Sequence, residues 1–294
     1  MADQTLPGSA NGLIERHRSR RRWGAGLDPN ASTYVGMALV AIPLLAALLA
    51  AVLTDANPMA LSGQTLRPPG VAHPMGTDDL GRDVMARVLY GGRISLTVGV
   101  FSALIAVVIG TAVGTVAGFF GGRTDEILMR MTEMFQIIPR FLLAIVVVAL
   151  FGGGLVKIIV IIGALGWVGT ARVVRAQLLV LRGEEFVLAA TMGGASHARI
   201  IMRHILPNVV PFIIVAAALQ TAGAILTESF LSFLGLGDPS RPSWGLLLQQ
   251  AQLYLQQAWW MSTFPGIALS MTILGLNLIG DGLASKFGAR KVAR

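Results

Sequence analysis

Six long apolar runs, separated by polar segments, follow one another along this chain. They cover residues 34–54, 94–120, 127–151, 156–176, 209–230 and 261–283. A helix that crosses the hydrocarbon core of a membrane needs about 20 mostly apolar residues, and every run reaches that length. The third run is broken at Pro139-Arg140. The pattern predicts an all-α, polytopic integral membrane protein with six transmembrane helices.

Two shorter segments predict helices that do not cross the membrane. Residues 246–255 are apolar but too few to span, so we expect an interfacial or external helix there. Residues 78–90 follow a turn-rich segment, and their amphipathic pattern favours a short helix lying on the membrane. In the second run, Gly110, Gly114 and Gly118 recur at every fourth residue. Small residues at this spacing let two helices approach closely, so we expect tight packing there.

The composition agrees with lipid as the main solvent. Hydrophobic residues make up 54% of the 294 residues and charged residues only 13%, with a mean hydropathy of +0.69. Soluble domains carry roughly 25% charged residues. The chain has no cysteine, which excludes disulfides and thiolate metal sites. The histidines do not have a metal-ligand spacing, so we expect no metal site. They are His17, His73, His197 and His204.

The net charge of +8 indicates an orientation in the membrane rather than a nucleic-acid partner. Cytoplasmic segments of membrane proteins carry an excess of lysine and arginine. Arg140 lies inside a run, and the remaining cations fall into two sets on alternate sides. The larger set, predicted to be cytoplasmic, is Arg16, Arg18, Arg20, Arg21, Arg22, Arg123, Arg130, Arg172, Arg175, Arg182, Arg199, Arg203, Lys286, Arg290, Lys291 and Arg294. The smaller set is Arg67, Arg82, Arg87, Arg93, Lys157 and Arg241.

These assignments divide the chain into three parts. A cytoplasmic N-terminal tail (1–33) precedes a transmembrane domain (34–283), and a cytoplasmic C-terminal tail (284–294) follows it. The domain has external loops at 55–93 and 231–258 and a cytoplasmic insert at 181–208. The basic N-terminal cluster is not followed by a short apolar core and a cleavage site, so we expect no cleaved signal peptide.

The insert at 181–208 is polar and interrupted by glycine, and it separates two apolar runs. Two short helices joined at Gly194 would form a projection, because glycine adopts turn dihedrals without a Cβ clash. Ala189 and Ala190 would keep one face narrow, which suits docking into a groove. Leu206-Pro207 would end the second helix, since proline interrupts helical hydrogen bonding. The insert is predicted to dock onto a partner; the alternative is an ordinary cytoplasmic loop.

Two enzymatic interpretations lack the residues that they need. A phosphate-binding P-loop requires Gly-Lys-Ser/Thr, and none of Lys157, Lys286 and Lys291 follows a glycine. Residues 235–238 match the G-x-G-D of intramembrane aspartyl proteases, but the chain has no second aspartate in a Tyr-Asp pair to share a proton. We expect a non-catalytic chain that binds no ATP and no other cofactor.

Four ordered motifs resemble the C-type permease subunit of the dipeptide/oligopeptide/nickel importers, which are ATP-binding-cassette (ABC) transporters. The resemblance extends over about residues 34 to 283. The motifs are HPMGTDDLGRD at 73–83 with YGGRISL at 90–96; GAS at 194–196 with RHILPN at 203–208; ESFLSFLGLG at 228–237 with PSWG at 242–245; and NLIGDGL at 277–283.

The resemblance implies a type I ABC importer permease fold in a bacterial cytoplasmic (inner) membrane, with both termini in the cytoplasm. It implies half of a translocation channel, paired with a homologous second permease subunit and surrounded by membrane lipid. Two ABC ATPase subunits would bind ATP and Mg, and an extracytoplasmic solute-binding protein would deliver the solute. No nucleic acid is expected.

The resemblance also implies two sets of site residues. The insert corresponds to the "EAA" loop, or coupling helix, although its glutamate position is occupied by Leu188. The implied ATPase-docking residues are Glu184, Glu185, Ala189, Ala190, Gly193, Gly194, Ala195, Ser196, Leu206 and Pro207. The implied external residues, which would face the binding protein, are His73, Gly76, Asp78, Gly81, Arg82, Asp83 and Trp244.

Two questions stay open at the level of sequence. The solute could be a dipeptide, an oligopeptide, a nickel chelate or glutathione. The alternative function is a self-sufficient secondary transporter or channel, which needs charged residues at mid-membrane; the centres of the second, fourth and fifth runs carry none. The intramembrane ionisable residues lie near run ends or breaks, where snorkelling or pairing is expected: Glu133, Arg140, Glu228 and Asp281.

Overall fold

The structure, a computed structural model, describes residues 29–292. Helices dominate these residues, which contain no β-strand beyond one isolated bridge between Thr77 and Asp83. The α-helices are α1 (Pro29–Leu48), α2 (Ala50–Leu53), α3 (Val84–Phe120), α4 (Gly122–Ile137), α5 (Arg140–Phe151), α6 (Leu155–Leu181), α7 (Glu185–Met192), α8 (His197–Ile200), α9 (Leu206–Phe233), α10 (Trp244–Ala251) and α11 (Trp260–Val292).

The prediction of an all-α, polytopic membrane protein is confirmed. Among residues 29–292, the stretches long and apolar enough to cross a membrane are Asn30–Leu48, Val84–Phe120, Leu155–Leu181, His197–Phe233 and Trp260–Phe287. A sixth span arises if α4 and α5 count as one, and these two helices are bent by 76° at their junction. The predicted break at Pro139 is therefore present. Ile138, which precedes the proline, has extended dihedrals, as steric contact with a following proline ring favours.

The second span begins earlier than the sequence predicts. A span from residue 94 and a separate surface helix at 78–90 were expected, but α3 is one continuous helix that starts at Val84. Its start is capped by Asp83, whose Oδ1 accepts a hydrogen bond from the Ala86 N–H at 2.8 Å. Gly92 lies within this helix and lets Trp244 pack closely on it, since an added Cβ there would lie 3.0 Å from the Trp244 ring. Residues 84–93 of the predicted external loop 55–93 are therefore helical.

The tightest helix pair is α3 against α6, and glycines make it possible. An added Cβ at Gly110 would lie 2.6 Å from the Thr170 Cβ, and one at Gly118 would lie 2.7 Å from the Leu178 Cβ. At Gly114 it would collide with the Ala171 carbonyl oxygen. The expected close packing of this glycine stripe is confirmed.

The bundle has two ends, which we name by one residue each. The Trp244 end comprises residues 54–83 and 234–259, with the junction of α5 and α6 beside them, since Gly153 lies close to the Gly237 carbonyl. The Gly194 end comprises residues 182–205, beside the last turn of α3, where Arg182 donates to the Phe119 carbonyl at 3.2 Å. The helix α10 within 246–255 is present as predicted, at the Trp244 end.

Gly114→Ala tests whether the α3–α6 contact limits stability. We expect the extra methyl group to destabilise the folded chain by about 1–3 kcal/mol, the usual cost of overpacking. Gly169→Ala is the matched control, because an added Cβ there meets no atom within 4 Å. Thermal unfolding in detergent, followed by size-exclusion chromatography, measures both. Equal midpoints for the two variants would contradict the assignment.

Candidate functional site

The insert forms a compact projection at the Gly194 end. Helix α7 ends at Met192 with Gly193 as its C-cap. Gly194 adopts φ +71°, a conformation that residues other than glycine rarely take. The Ala195 N–H returns to the Ala190 carbonyl at 3.1 Å, which closes the turn. Ser196 then caps α8, its Oγ accepting from the Arg199 N–H at 3.4 Å. The predicted joint between two short helices is therefore present.

One face of the projection is buried against the spans and the other is exposed. Val187, Ile200 and Ile205 are buried with Val174 and Leu178 of α6. Ala190 and Ala195 pack partly against the same cluster. The predicted docking residues that are exposed are Glu184, Glu185, Ala189, Gly193, Gly194, Ser196 and Pro207, and Met192 in the projection is 90% exposed. The sequence did not distinguish Ala189 from Ala190, which point to different sides.

The expectation that Leu206-Pro207 ends the second helix is wrong. A π-helical turn (Ile201–Ile205) joins α8 directly to α9, and the Leu206 N–H bonds to the Ile201 carbonyl. Pro207 lies in the first turn of α9. At this position the missing N–H of proline removes little, because the wide turn already shifts the hydrogen-bond register.

An aromatic contact attaches the projection to α3. The ring of His197, the first residue of α8, lies edge-on to Phe119 at 5.5 Å and to Phe120 at 6.0 Å between centroids. From the sequence, His197 was weighed only as a metal ligand. The adjacent aromatic residues Phe119 and Phe120, at the end of α3, were the one feature of the sequence that could have indicated this contact.

At the Trp244 end, a buried ion network holds the loop before α3. Asp78 accepts from the Arg82 Nε at 2.6 Å, from the backbone N–H groups of Leu80 at 2.9 Å and Arg82 at 2.8 Å, and from the Arg87 guanidinium. Asp78 is 1% exposed and Arg87 2%. Replacing Asp78 would be costly, because the guanidinium groups of Arg82 and Arg87 would be left as uncompensated buried charges.

The other predicted residues of this end shape the same loop. His73 Nδ1 and Asp83 Oδ2 are 2.8 Å apart. Gly76 and Gly81 both have positive φ, and a side chain at Gly76 would collide with the Trp260 ring. The indole N–H of Trp260 donates to the Thr77 carbonyl at 3.1 Å. The structure therefore brings these residues together as a folded cap.

Trp244 is buried rather than presented to solvent. It is 1% exposed, and its indole N–H donates to the Val88 carbonyl at 3.0 Å. Beside it lies the buried carboxyl group of Glu228, a residue that the sequence placed only near the end of an apolar run. Glu228 accepts from the Ser95 hydroxyl at 3.1 Å and the Ser232 hydroxyl at 2.7 Å, and the Trp244 N–H donates to the Ser95 Oγ at 3.2 Å. This cluster ties α3, α9 and α10 together.

The G-x-G-D segment is a turn. Asp238 accepts from the Ser240 hydroxyl at 2.6 Å and from its N–H at 3.0 Å. The Ser240 hydroxyl bond is the main cause that holds the pKa of Asp238 below its usual value.

Between the two ends, α5, α6 and α9 line a half-open cavity of about 540 Å³. Its polar lining includes Arg140, Thr170, Gln220 and Thr227. The Arg140 Nη1 lies 3.5 Å from the Gly166 carbonyl oxygen.

Residues 110–292 match the family of binding-protein-dependent transport system inner membrane components. The chain belongs to this family. The match covers the insert, the cavity and Glu228, whereas the loop at 73–83 precedes it. The permease resemblance predicted from the four motifs is confirmed, and the chain is a multi-pass permease component of the inner-membrane type.

Curated relatives are also similar to this chain in the part before residue 110, which the family match does not cover. A putative peptide transport system permease of Brucella suis biovar 1 is 42% identical, over 92% of this chain and 89% of its own length. The dipeptide transport system permease of Bacillus subtilis is 46% identical, over 74% of this chain and 68% of its own. A glutathione transport system permease of Pectobacterium atrosepticum is 41% identical, over 73% and 72%. All three are named as transport system permeases.

Asp78→Asn tests the cap of this permease. The change removes the charge that compensates Arg82 and Arg87, and we expect a loss of about 3–5 kcal/mol in the free energy of unfolding. Glu126→Gln is the control, because its pair with Arg130 is largely exposed and worth at most about 1 kcal/mol. Thermal unfolding measures both, and limited proteolysis at 62–83 reports the cap itself. A wild-type midpoint for Asp78→Asn would show that the network is dispensable.

Proposed function

We propose that this permease forms half of the translocation channel of an ABC importer for peptides or a related small solute. The observation that carries the proposal is the projection at the Gly194 end. Between Glu184 and Ser196 it exposes several small and apolar side chains. Its opposite face is packed against the spans. A surface of this shape suits insertion into a groove on a second protein.

The importer is proposed to contain two cytoplasmic ABC ATPases. One of them would bind this surface of the chain. The exposed apolar side chains of Phe186, Leu188 and Met192 would enter the ATPase groove, with Ala189 and Gly193 keeping the approach close. Ala190, Ala195 and Leu206 would act from behind, by positioning the exposed face. The ATPases would bind ATP and Mg, and this chain would bind no cofactor, since none of its lysines lies in a phosphate-binding sequence.

The Gly194 end is proposed to be cytoplasmic. The larger set of arginines and lysines belongs to the tails and to the loops at this end, as the orientation rule requires of cytoplasmic segments. The Trp244 end would then face the extracytoplasmic solute-binding protein. Its buried residues, including Asp78, Arg82 and Trp244, would hold the docking surface in shape rather than touch the binding protein. His73, which is partly exposed, is the member of the set best able to touch it.

Transport would follow from two states of the bundle. Closure of the ATPases on ATP would bias the spans of this chain and of a homologous second permease between inward-open and outward-open arrangements. Peptides are the proposed solute because the relatives in Brucella suis and Bacillus subtilis are named for peptide and dipeptide transport. A nickel chelate or glutathione is the competing solute, and uptake assays with each would distinguish them.

Single cysteines test the orientation, since the chain has no cysteine of its own. We expect Ser196→Cys to react with a membrane-impermeant maleimide in inverted vesicles and not in intact spheroplasts. Val71→Cys, at a fully exposed position of the Trp244 end, should show the opposite pattern. Labelling of Ser196→Cys from outside would place the projection beyond the reach of an ATPase and overturn the proposal.

Gly194→Val tests the docking surface. A β-branched side chain resists the positive φ of this position, so we expect normal abundance, loss of ATPase co-purification and loss of uptake. Gly63→Val is the matched control, because Gly63 has φ +72° and equally open surroundings but lies at the Trp244 end. It should retain the ATPase. Equal ATPase retention by the two variants would contradict the docking role.

A further inference from the structure

The cavity between α5, α6 and α9 lies near the middle of the spans. Gly166, which contacts Arg140, is roughly 16 Å from the start of α6 and roughly 22 Å from its end at 1.5 Å per residue. The cavity volume of about 540 Å³ falls within the range of small-molecule sites, about 300–1,000 Å³. Phe141 packs edge-on against Phe230 at 5.3 Å, which fixes the start of α5 beside α9.

Arg140 is a cation at this depth without an acidic partner. None of the ion pairs among residues 29–292 includes it. Its one hydrogen bond is the long contact of 3.5 Å to the Gly166 carbonyl, and the residue is exposed toward the cavity that it lines. A charge in the hydrocarbon region is costly unless it is paired or serves a ligand.

The glycines of this region fall into two classes. At Gly110, Gly114, Gly163 and Gly166 an added Cβ would collide with a neighbouring helix, so packing explains them. At Gly169 and Gly223, which line the cavity, an added Cβ meets no atom within 4 Å. Packing within this chain gives no reason for a glycine at these two positions. They keep space free on the cavity side.

We propose that this cavity is a carboxylate-binding site on the transport path, in which Arg140 pairs with the free carboxylate of the transported peptide. The inference rests on the proposed function. A guanidinium matches a carboxylate with two parallel N–H donors. The Gln220 amide and the Thr227 hydroxyl of α9 supply further polar groups in the cavity lining. Gly169 and Gly223 leave room for the peptide beside them.

The test uses the importer reconstituted with its second permease, ATPases and binding protein. Uptake is measured for one peptide with a free C-terminal carboxylate and for the same peptide as its C-terminal amide. Each value for a variant is divided by the wild-type value for the same peptide, so the preference of the binding protein cancels. The variants are Arg140→Gln, Arg140→Lys and, as a control on the same broken span, Arg130→Gln, which alters an exposed pair outside the cavity.

We expect Arg140→Gln to lower uptake of the free peptide about tenfold or more, the size of one lost charge-assisted pair. Uptake of the amide should change less than about twofold, Arg140→Lys should restore part of the loss, and Arg130→Gln should behave as wild type. Equal loss for both peptides, or no loss, would overturn the inference and leave the proposed function intact. Failure of the wild-type complex to import either peptide would overturn both.

A second pair of variants tests the cavity with Arg140 in place. Gly223→Leu fills the cavity, whereas Ala164→Leu adds the same side chain at an exposed position of α6 outside it. We expect both complexes to assemble and only Gly223→Leu to lose uptake. If Gly223→Leu or Arg140→Gln instead releases the second permease, the cavity holds a segment of that subunit, and the carboxylate site is refuted. Unchanged uptake by Gly223→Leu would also refute it.

Discussion

The contact between the backbones of α3 and α6 is the constraint on which the other features of this permease depend. Gly110, Gly114 and Gly118 allow the two helices to touch without intervening side chains. Helix α3 carries the Asp78 cap at its start and the His197 contact at its end. Helix α6 forms one wall of the cavity and leads directly into the insert. The pair therefore sets the distance and the rotation between the two ends of the bundle.

Hydrophobic runs were sufficient to predict the class of fold, but not where helices stop. Two prolines in similar apolar surroundings had opposite effects. Pro139 separates α4 from α5, because the residue before it, Ile138, becomes extended. Pro207 lies within a continuous helix, because the π turn before it has already displaced the hydrogen-bond register. The Gly91-Gly92 pair was likewise assigned to a loop and is helical, and Trp244 packs against Gly92. These outcomes depend on tertiary neighbours, which no local pattern contains.

The candidate sites show the same limit. The turn at Gly194 could be predicted, since it follows from the dihedrals that glycine alone adopts readily. The division of the insert into a buried and an exposed face could not, because Ala189 and Ala190 differ only in which way the helix faces the spans. Glu228 and Ser95 are 133 positions apart, and Trp260 and Thr77 are 183 apart. Trp244 was expected at the surface as a contact residue and is instead the centre of the cap's core.

The continuity of α8, the π turn and α9 has a mechanical consequence. Helical structure runs without a break from His197 to Phe233, so α8, the second helix of the projection, and the cavity wall at Gly223 and Thr227 belong to one continuous helix. About 39 Å of helix separates His197 from Gly223 at 1.5 Å per residue. A displacement of α8 is therefore transmitted to the cavity wall along the helix backbone rather than through a relay of side chains. An intermediate in which the projection has moved and the cavity wall has not is therefore disfavoured, and the two ends are expected to change state in a single step.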